Sequence, residues 1–156
     1  MTDAKLNIKK IKSFSELKKN TSIKKGFSEK IVIGKFPTKV DIYKNIENIL
    51  YSIEKKPRIN GVLFLDLNCY FSSTCKVDFQ KEYNNFKKFI KTNFGTCVFV
   101  YSRIYKNEKN QIIQFILIPT FEEKLKAYKI LGDKQNMKNI ISSFYEIMEN
   151  KPQESI

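Results

Sequence analysis

The most constraining stretch of this chain is 97–119, CVFVYSRIYKNEKNQIIQFILIP. Two runs rich in Val, Ile, Phe and Tyr flank a polar tip of Lys106, Asn107, Glu108, Lys109, Asn110 and Gln111, and Pro119 closes the second run. β-branched and aromatic side chains suit a pleated, buried surface and the tip suits a turn, so the stretch predicts a β-hairpin at the centre of a sheet. Everything else in the chain must cover that sheet or extend it.

Covering elements are readable from periodicity. Ile42, Tyr43, Ile46, Ile49, Leu50 and Ile53 recur at spacings of three and four behind Pro37 and a Thr38/Asp41 capping-box spacing, which predicts a helix ended by Lys55, Lys56 and Pro57. Phe79, Tyr83, Phe86, Phe89 and Ile90 form the stripe of a second helix over 78–92, followed by a turn at Gly95. A short helix is expected over 121–131, a turn at Gly132-Asp133, and a last helix over 134–149 burying Met137, Ile140, Ile141, Phe144, Tyr145 and Met148. The segment GVLFLDLNCYF, 61–71, is too short and too β-rich for a helix and reads as a central strand, and 30–33 as a short strand closed by Gly34. Asp66 stands out in that central strand: a carboxylate among Leu and Phe needs a solvent-facing position or a partner. Ahead of these elements, 5–19 starts strand-like and turns helical after Ser13, which stands three residues before Glu16. The order β-α-β-α-β-β-α-α indicates an α+β domain, a mainly antiparallel sheet with helices packed on one face.

With 156 residues the chain fits a single domain, 1–150, with a frayed tail over 151–156. Its net charge of +13 is concentrated in a basic N-terminal arm, 1–26, where eight Lys face only Asp3 and Glu16. Such an arm points to a polyanion, nucleic acid before an acidic membrane, although abundant Lys, Asn and Ile also fit plain AT-rich codon bias. No run of 18 apolar residues spans a membrane and no signal-peptide core opens the chain, so a cytosolic protein is expected. Cys69, Cys75 and Cys97 are odd in number and lack C-x-x-C spacing, which argues for buried thiols over disulfides or zinc.

Chemistry is constrained most by what is missing. There is no histidine, hence no imidazole base or ligand, and no P-loop, G-x-S-x-G or G-x-G-x-x-G pattern. Asp66, Glu108, Arg58, Arg103, Tyr70, Tyr101 and Tyr105 remain as scattered candidates. Carboxylates alone can hold Mg²⁺ or Mn²⁺, but only two are plausibly placed.

The segment from FGTCVFVYSRIYKNEKNQIIQFILIP to ISSFYEIM resembles the core of the plasmid mobilisation and recombination relaxases, the Mob/Pre family. In that family an F-G turn and strand lead into H-x-D-E-x-T-P-H-x-H and then an apolar strand ending in Pro. Laid on this chain, Tyr105 takes the first His position, Asn107 the Asp, Glu108 the Glu, and Ile112 and Gln114 the paired histidines, with Pro119 ending the strand. Upstream, NIKKIKSFSELKKN is similar to the family's N-terminal segment. Thr21 or Ser22 then stands for a nucleophilic or DNA-contacting His and Lys24 or Lys25 for an Arg, while KKPRINGVLFLD matches Arg58 and Asp66 to an Arg and an acidic strand residue.

The resemblance implies a relaxase-like fold of the His-hydrophobic-His endonuclease type that has lost its metal ligands. It further implies a pseudoenzyme that binds single-stranded or hairpin DNA of a plasmid or other mobile element, without a cofactor. Lys9, Lys10, Lys12, Lys18, Lys19, Lys24, Lys25, Arg58 and Arg103 would contact the nucleic acid. Two alternatives stay open. One is a divergent nicking enzyme in which Tyr70, Tyr101 or Tyr105 attacks DNA while Asp66 and Glu108 hold Mn²⁺ or Mg²⁺. The other is an interaction or dimerisation module, binding itself or another mobile-element protein.

Overall fold

A computed structural model of the chain describes residues 4–22, 26–31, 39–54, 61–72, 78–108, 110–121 and 124–149. The hairpin forms as expected, β4 (Val98–Lys106) and β5 (Asn110–Ile118), with a bulge between Phe99 and Tyr101. β5 pairs on its other side with β3 (Phe64–Ser72). β1 (Lys5–Ile11) and β2 (Ser28–Ile31) complete a five-stranded sheet of order β1-β3-β5-β4-β2, every pairing antiparallel.

The N-terminal stretch is therefore built into the sheet rather than laid beside it as an arm. Its Leu6 and Ile8 alternate with Lys5, Asn7 and Lys9, and their burial against the core fixes β1 as an edge strand whose lysines blunt the open edge. Helix α1 (Phe14–Thr21) follows, its N-cap Ser13 accepting from Glu16 N at 3.1 Å while Glu16 Oε1 accepts from Lys12 N at 3.0 Å. These bonds satisfy backbone donors that a helix start leaves open.

Three longer helices are α2 (Lys39–Ile53), α3 (Phe79–Asn93) and α5 (Lys134–Glu149), with the one-turn α4 (Ala127–Leu131) before α5. Odd-numbered residues of β3 (Leu65, Leu67, Cys69, Phe71) and β5 (Ile113, Phe115, Leu117) face the expected helical layer, α3 and α5, through Phe86, Phe89, Ile140, Phe144 and Met148. Helical cover extends beyond that single face. On the other side Leu17 of α1 and Ile42, Ile46 and Leu50 of α2 pack with Ile11, Phe64, Tyr101, Ile116 and Ile118.

Two local expectations change. The described residues between 120 and 125 are not helical: β6 (Thr120–Phe121) and β7 (Lys124–Leu125) pair as a short ribbon, and the helix starts only at Ala127. Thr120 Oγ1 donates to Thr96 O at 2.6 Å, so this backbone is held extended beside the hairpin's entry turn. On α5, Ile140, Phe144 and Met148 are buried, whereas Ile141 (41 % exposed) and Tyr145 (38 %) lie on its flank. Gly34, Pro37 and Thr38, residues 55–58, Cys75 and the tail 151–156 lie outside the described residues.

Candidate functional site

On the sheet face away from α3 and α5, even-numbered residues of β3 and β5 bring polar groups together. Register sets Asn68 opposite Gln114 and Gln114 opposite Arg103, while Tyr105 lies opposite both Ile112 and Glu29. Asp66 Oδ1 accepts from Asn68 Nδ2 and from Gln114 Nε2, both at 2.8 Å. Gln114 Oε1 accepts from Arg103 Nε at 2.5 Å, and Gln114 Nε2 also donates to Asn20 O at 3.2 Å. Arg103 Nη1 donates to Ser22 O (3.0 Å) and forms an ion pair with Glu29 Oε1 (3.2 Å), while Nη2 donates to Asn20 O (3.1 Å). Tyr101 OH donates to the same Glu29 oxygen at 3.0 Å, and the guanidinium lies 4.0 Å over the Tyr105 ring. The result is a hydrogen-bonded row across β3, β5, β4 and β2, tied to the C-terminal end of α1, in which Asn68 Oδ1 is buried without a partner among the described residues.

Burial governs the electrostatics. It raises Asp66 above the ordinary aspartate range, while bonds from Gln114 and Asn68 and the charges of Lys9 and Arg103 pull it back. Tyr105 is pushed up to about 12 by burial despite Arg103, and Tyr101 also rises through burial. Cys97, half-buried at the start of the hairpin, rises to about 11 for the same reason. For Asp66 the sign is definite: the folded state holds its proton more tightly than the unfolded chain, so this stabilising contribution is present at low pH and lost as pH rises through the folded value. Asp66→Asn keeps an acceptor for Asn68 and Gln114 without the buried charge. Wild type should therefore gain stability relative to Asp66→Asn as pH falls from neutral toward the ordinary aspartate range in urea unfolding; a difference independent of pH would contradict this.

The expected site residues separate into groups. Asp66 is 1 % exposed and partnered, whereas Glu108 is exposed at the hairpin tip. By the strand registers they stand some six residues apart along the sheet, about 20 Å at the usual rise, so they do not converge on one cation. Tyr105 (4 % exposed) and Tyr101 (1 %) are buried, and Tyr70 is half-buried. Thr21, at the position matched to a family His, is also buried; its hydroxyl donates to Leu17 O at 2.8 Å and bonds the Tyr43 hydroxyl. Ser22 Oγ donates to Lys19 O at 2.9 Å.

Arg103 departs from the expected phosphate contact: at 1 % exposure, with four hydrogen bonds inside the fold, it presents no donor fork to a nucleic acid. The lysines differ. Lys9, Lys10 and Lys19, with Ser13, Ser15 and Asn20, line a surface cleft of about 590 Å³ between β1 and α1, and Glu16 on its wall is engaged by Lys12 N. Lys12 is exposed beside the cleft, and Lys18 lies 5.8 Å over the Tyr43 ring. Lys24, Lys25 and Arg58 lie outside the described residues. Glu29, Asn20 and Asn68 were not legible as site residues; the one sequence signal was Arg103 itself, a charge inside an apolar strand.

The family model described as plasmid recombination enzyme, Mob_Pre, matches residues 15–155. Among solved structures, the MobM relaxase domain (MOBV; Mob_Pre) bound to 26-nucleotide pMV158 oriT DNA superposes with a TM-score of 0.73 at 13 % identity, covering 95 % of this chain and 86 % of that one. The same domain with 22-nucleotide oriT DNA, Mn-bound at pH 5.5, gives 0.71 at 12 % identity, covering 95 % and 86 %. At these identities the likeness is one of fold. No curated protein sequence matches significantly.

A cation held as in an Mn-bound relaxase domain does not suit the residues here. Of the three positions matched to family histidines, Ile112 has no donor atom, Tyr105 lies under a guanidinium, and both ends of the Gln114 amide are occupied. Among the described residues no three His, Cys, Asp or Glu side chains group to hold a metal.

Proposed function

Because the chain belongs to the Mob_Pre family of plasmid recombination enzymes, we propose that it binds single-stranded or hairpin DNA of a mobile element and does not cut it. The observation that carries this reading is the lysine-lined cleft between β1 and α1, set beside a polar row whose ligand positions are already taken. Lys9, Lys10 and Lys19 contact phosphates from its walls, with Lys12 beside them; Lys18, Lys24, Lys25 and Arg58 belong to the same proposed set of phosphate contacts. Arg103 has an internal role instead. Relaxase domains of the same fold are bound to oriT DNA, which supports a nucleic-acid ligand for this fold.

Phosphate contacts release counterions, so affinity for a single strand falls with salt at a slope of about −0.7 per neutralised phosphate. Replacing Lys9, Lys10 and Lys19 together by Gln should flatten that slope by about two and weaken binding at least tenfold at low salt. The check is a fluorescence-anisotropy titration of single-stranded and hairpin oligonucleotides at several salt concentrations. Absent binding at low salt, or affinity indifferent to salt, would refute the reading.

A nicking activity that uses Tyr105 or Tyr101 as nucleophile fits poorly with side chains buried inside the fold, 4 % and 1 % exposed. The protein-contact alternative draws on Ile141 and Tyr145, one helical turn apart and both exposed on α5. A dimer in sedimentation equilibrium without DNA, dispersed by Ile141→Ser with Tyr145→Ser, would favour it. Among the described residues no helix is long and apolar enough to cross a membrane.

A further inference from the structure

Arg103 is a cation buried at the meeting point of four elements. From β4 it reaches β5 through Gln114, β2 through Glu29, and the last carbonyls of α1 through Asn20 and Ser22. Gln114 passes the connection on to Asp66 in β3 at 2.8 Å. Helix C-termini leave carbonyls unpaired and carry partial negative charge, so a guanidinium there satisfies both needs. It also lies 4.0 Å over Tyr105, one of the three positions matched to family histidines. A divalent ion entering among Tyr105, Ile112 and Gln114 would meet a fixed positive charge at contact range in a poorly solvated site, where repulsion is strong.

We infer that Arg103 is the resident cation of this domain. It takes the structural place of a bound metal ion, neutralises Glu29, anchors Asp66 through Gln114, and clamps the end of α1 that shapes the lysine cleft. Two consequences follow: the fold needs no divalent metal, and the site takes none up. Both hold whether or not the domain binds DNA, so a failed DNA titration leaves them standing and a bound metal overturns them alone.

The test uses the full chain with MnCl₂ as the probe. A site saturated a hundredfold above its dissociation constant would raise the melting temperature by several degrees. Exchanging EDTA for about 1 mM MnCl₂ should instead move it by less than about 1 °C. In amide-resolved NMR, paramagnetic broadening should be confined to exposed carboxylates such as Glu47 and Glu146. A rise of several degrees, or selective broadening of the Asp66, Ile112 and Gln114 amides, would overturn the inference. In Arg103→Gln, hydrogen exchange of the 17–21 amides in α1 should accelerate at least tenfold more than that of the amides around Phe86 in α3. Unchanged exchange in α1, or equal loss in both helices, would contradict the clamp. Should Arg103→Gln not fold, Arg103→Lys, which keeps the charge without the planar fork, is read in the same way.

Discussion

Arg103→Met is expected to lower the melting temperature by on the order of 10 °C. Met is close to Arg in length and fills the space, so the loss is electrostatic rather than one of volume. Without the guanidinium, Glu29, its side chain 8 % exposed, loses its ion pair with Arg103 and keeps the Tyr101 hydroxyl as donor. Gln114 Oε1 and the Asn20 and Ser22 carbonyls each lose the donor that Arg103 supplies. Removing one partner of a buried pair costs roughly 3–5 kcal/mol, because the other charge stays behind in the fold. The accompanying Glu29→Gln change should recover part of the loss by removing that charge. Differential scanning fluorimetry on the single and double variants checks both statements; a shift under about 2 °C for Arg103→Met would show that the pair does not hold the sheet to α1.

Phe86→Ala should be comparably damaging through different physics. The ring is fully buried on α3, stacks on Phe89 at 5.7 Å, and meets Phe115 of β5 and Phe144 of α5 edge-on at 5.5 and 6.1 Å. It therefore joins both helices of one layer to the central hairpin. Truncation removes that aromatic contact and leaves a cavity that three other rings cannot fill without leaving their rotamers, for a cost of about 3–5 kcal/mol. Urea unfolding should show the loss with an unchanged m-value, since the denatured state is not altered. A loss below about 1 kcal/mol would mean that the layer repacks freely. Unlike Arg103→Met, this variant leaves the lysine cleft untouched, so DNA affinity should persist wherever it remains folded.

Local patterns reported their elements well. The 97–119 hairpin formed because both runs are rich in β-branched and aromatic residues and its turn chemistry lies between them, and Asn107 Oδ1 accepting from Asn110 N at 2.7 Å closes that turn. The α3 stripe and the Ser13 cap of α1 were equally plain, since each depends on residues within one or two turns. What stayed hidden depends on partners distant in sequence. Asp66 needed a partner or solvent, but nothing local says that Gln114, forty-eight residues on, would supply the bond. Arg103 read as a surface charge because its ion-pair partner, Glu29, is seventy-four residues away and reaches it only through the β2–β4 register.

Two readings needed the fold to complete them. The strand-like start of 5–19 was legible, yet its lysines were also counted in a basic arm over 1–26, and only the pairing with β3 shows it as an edge strand. On α5, the apolar Ile141 and Tyr145 lie just off the buried face that Ile140, Phe144 and Met148 define. Hydrophobic spacing alone does not tell a core face from its flank when both are apolar. The family resemblance located the positions Tyr105, Ile112 and Gln114, yet the neighbour that gives the site its character, Arg103, lies outside that motif.

The measurement that bears most directly on the central reading is DNA binding and cleavage followed together on the wild-type chain. Single-stranded and hairpin oligonucleotides from DNA flanking the gene are titrated at fixed ionic strength, once in EDTA and once with micromolar MnCl₂, and the mixtures are then resolved on denaturing gels. Affinity should agree within about twofold between the two conditions, because lysine–phosphate contacts need no metal, and no nicked strand or covalent adduct should appear. A Mn²⁺-dependent nick, or a protein–DNA adduct lost in Tyr105→Phe, would contradict the account.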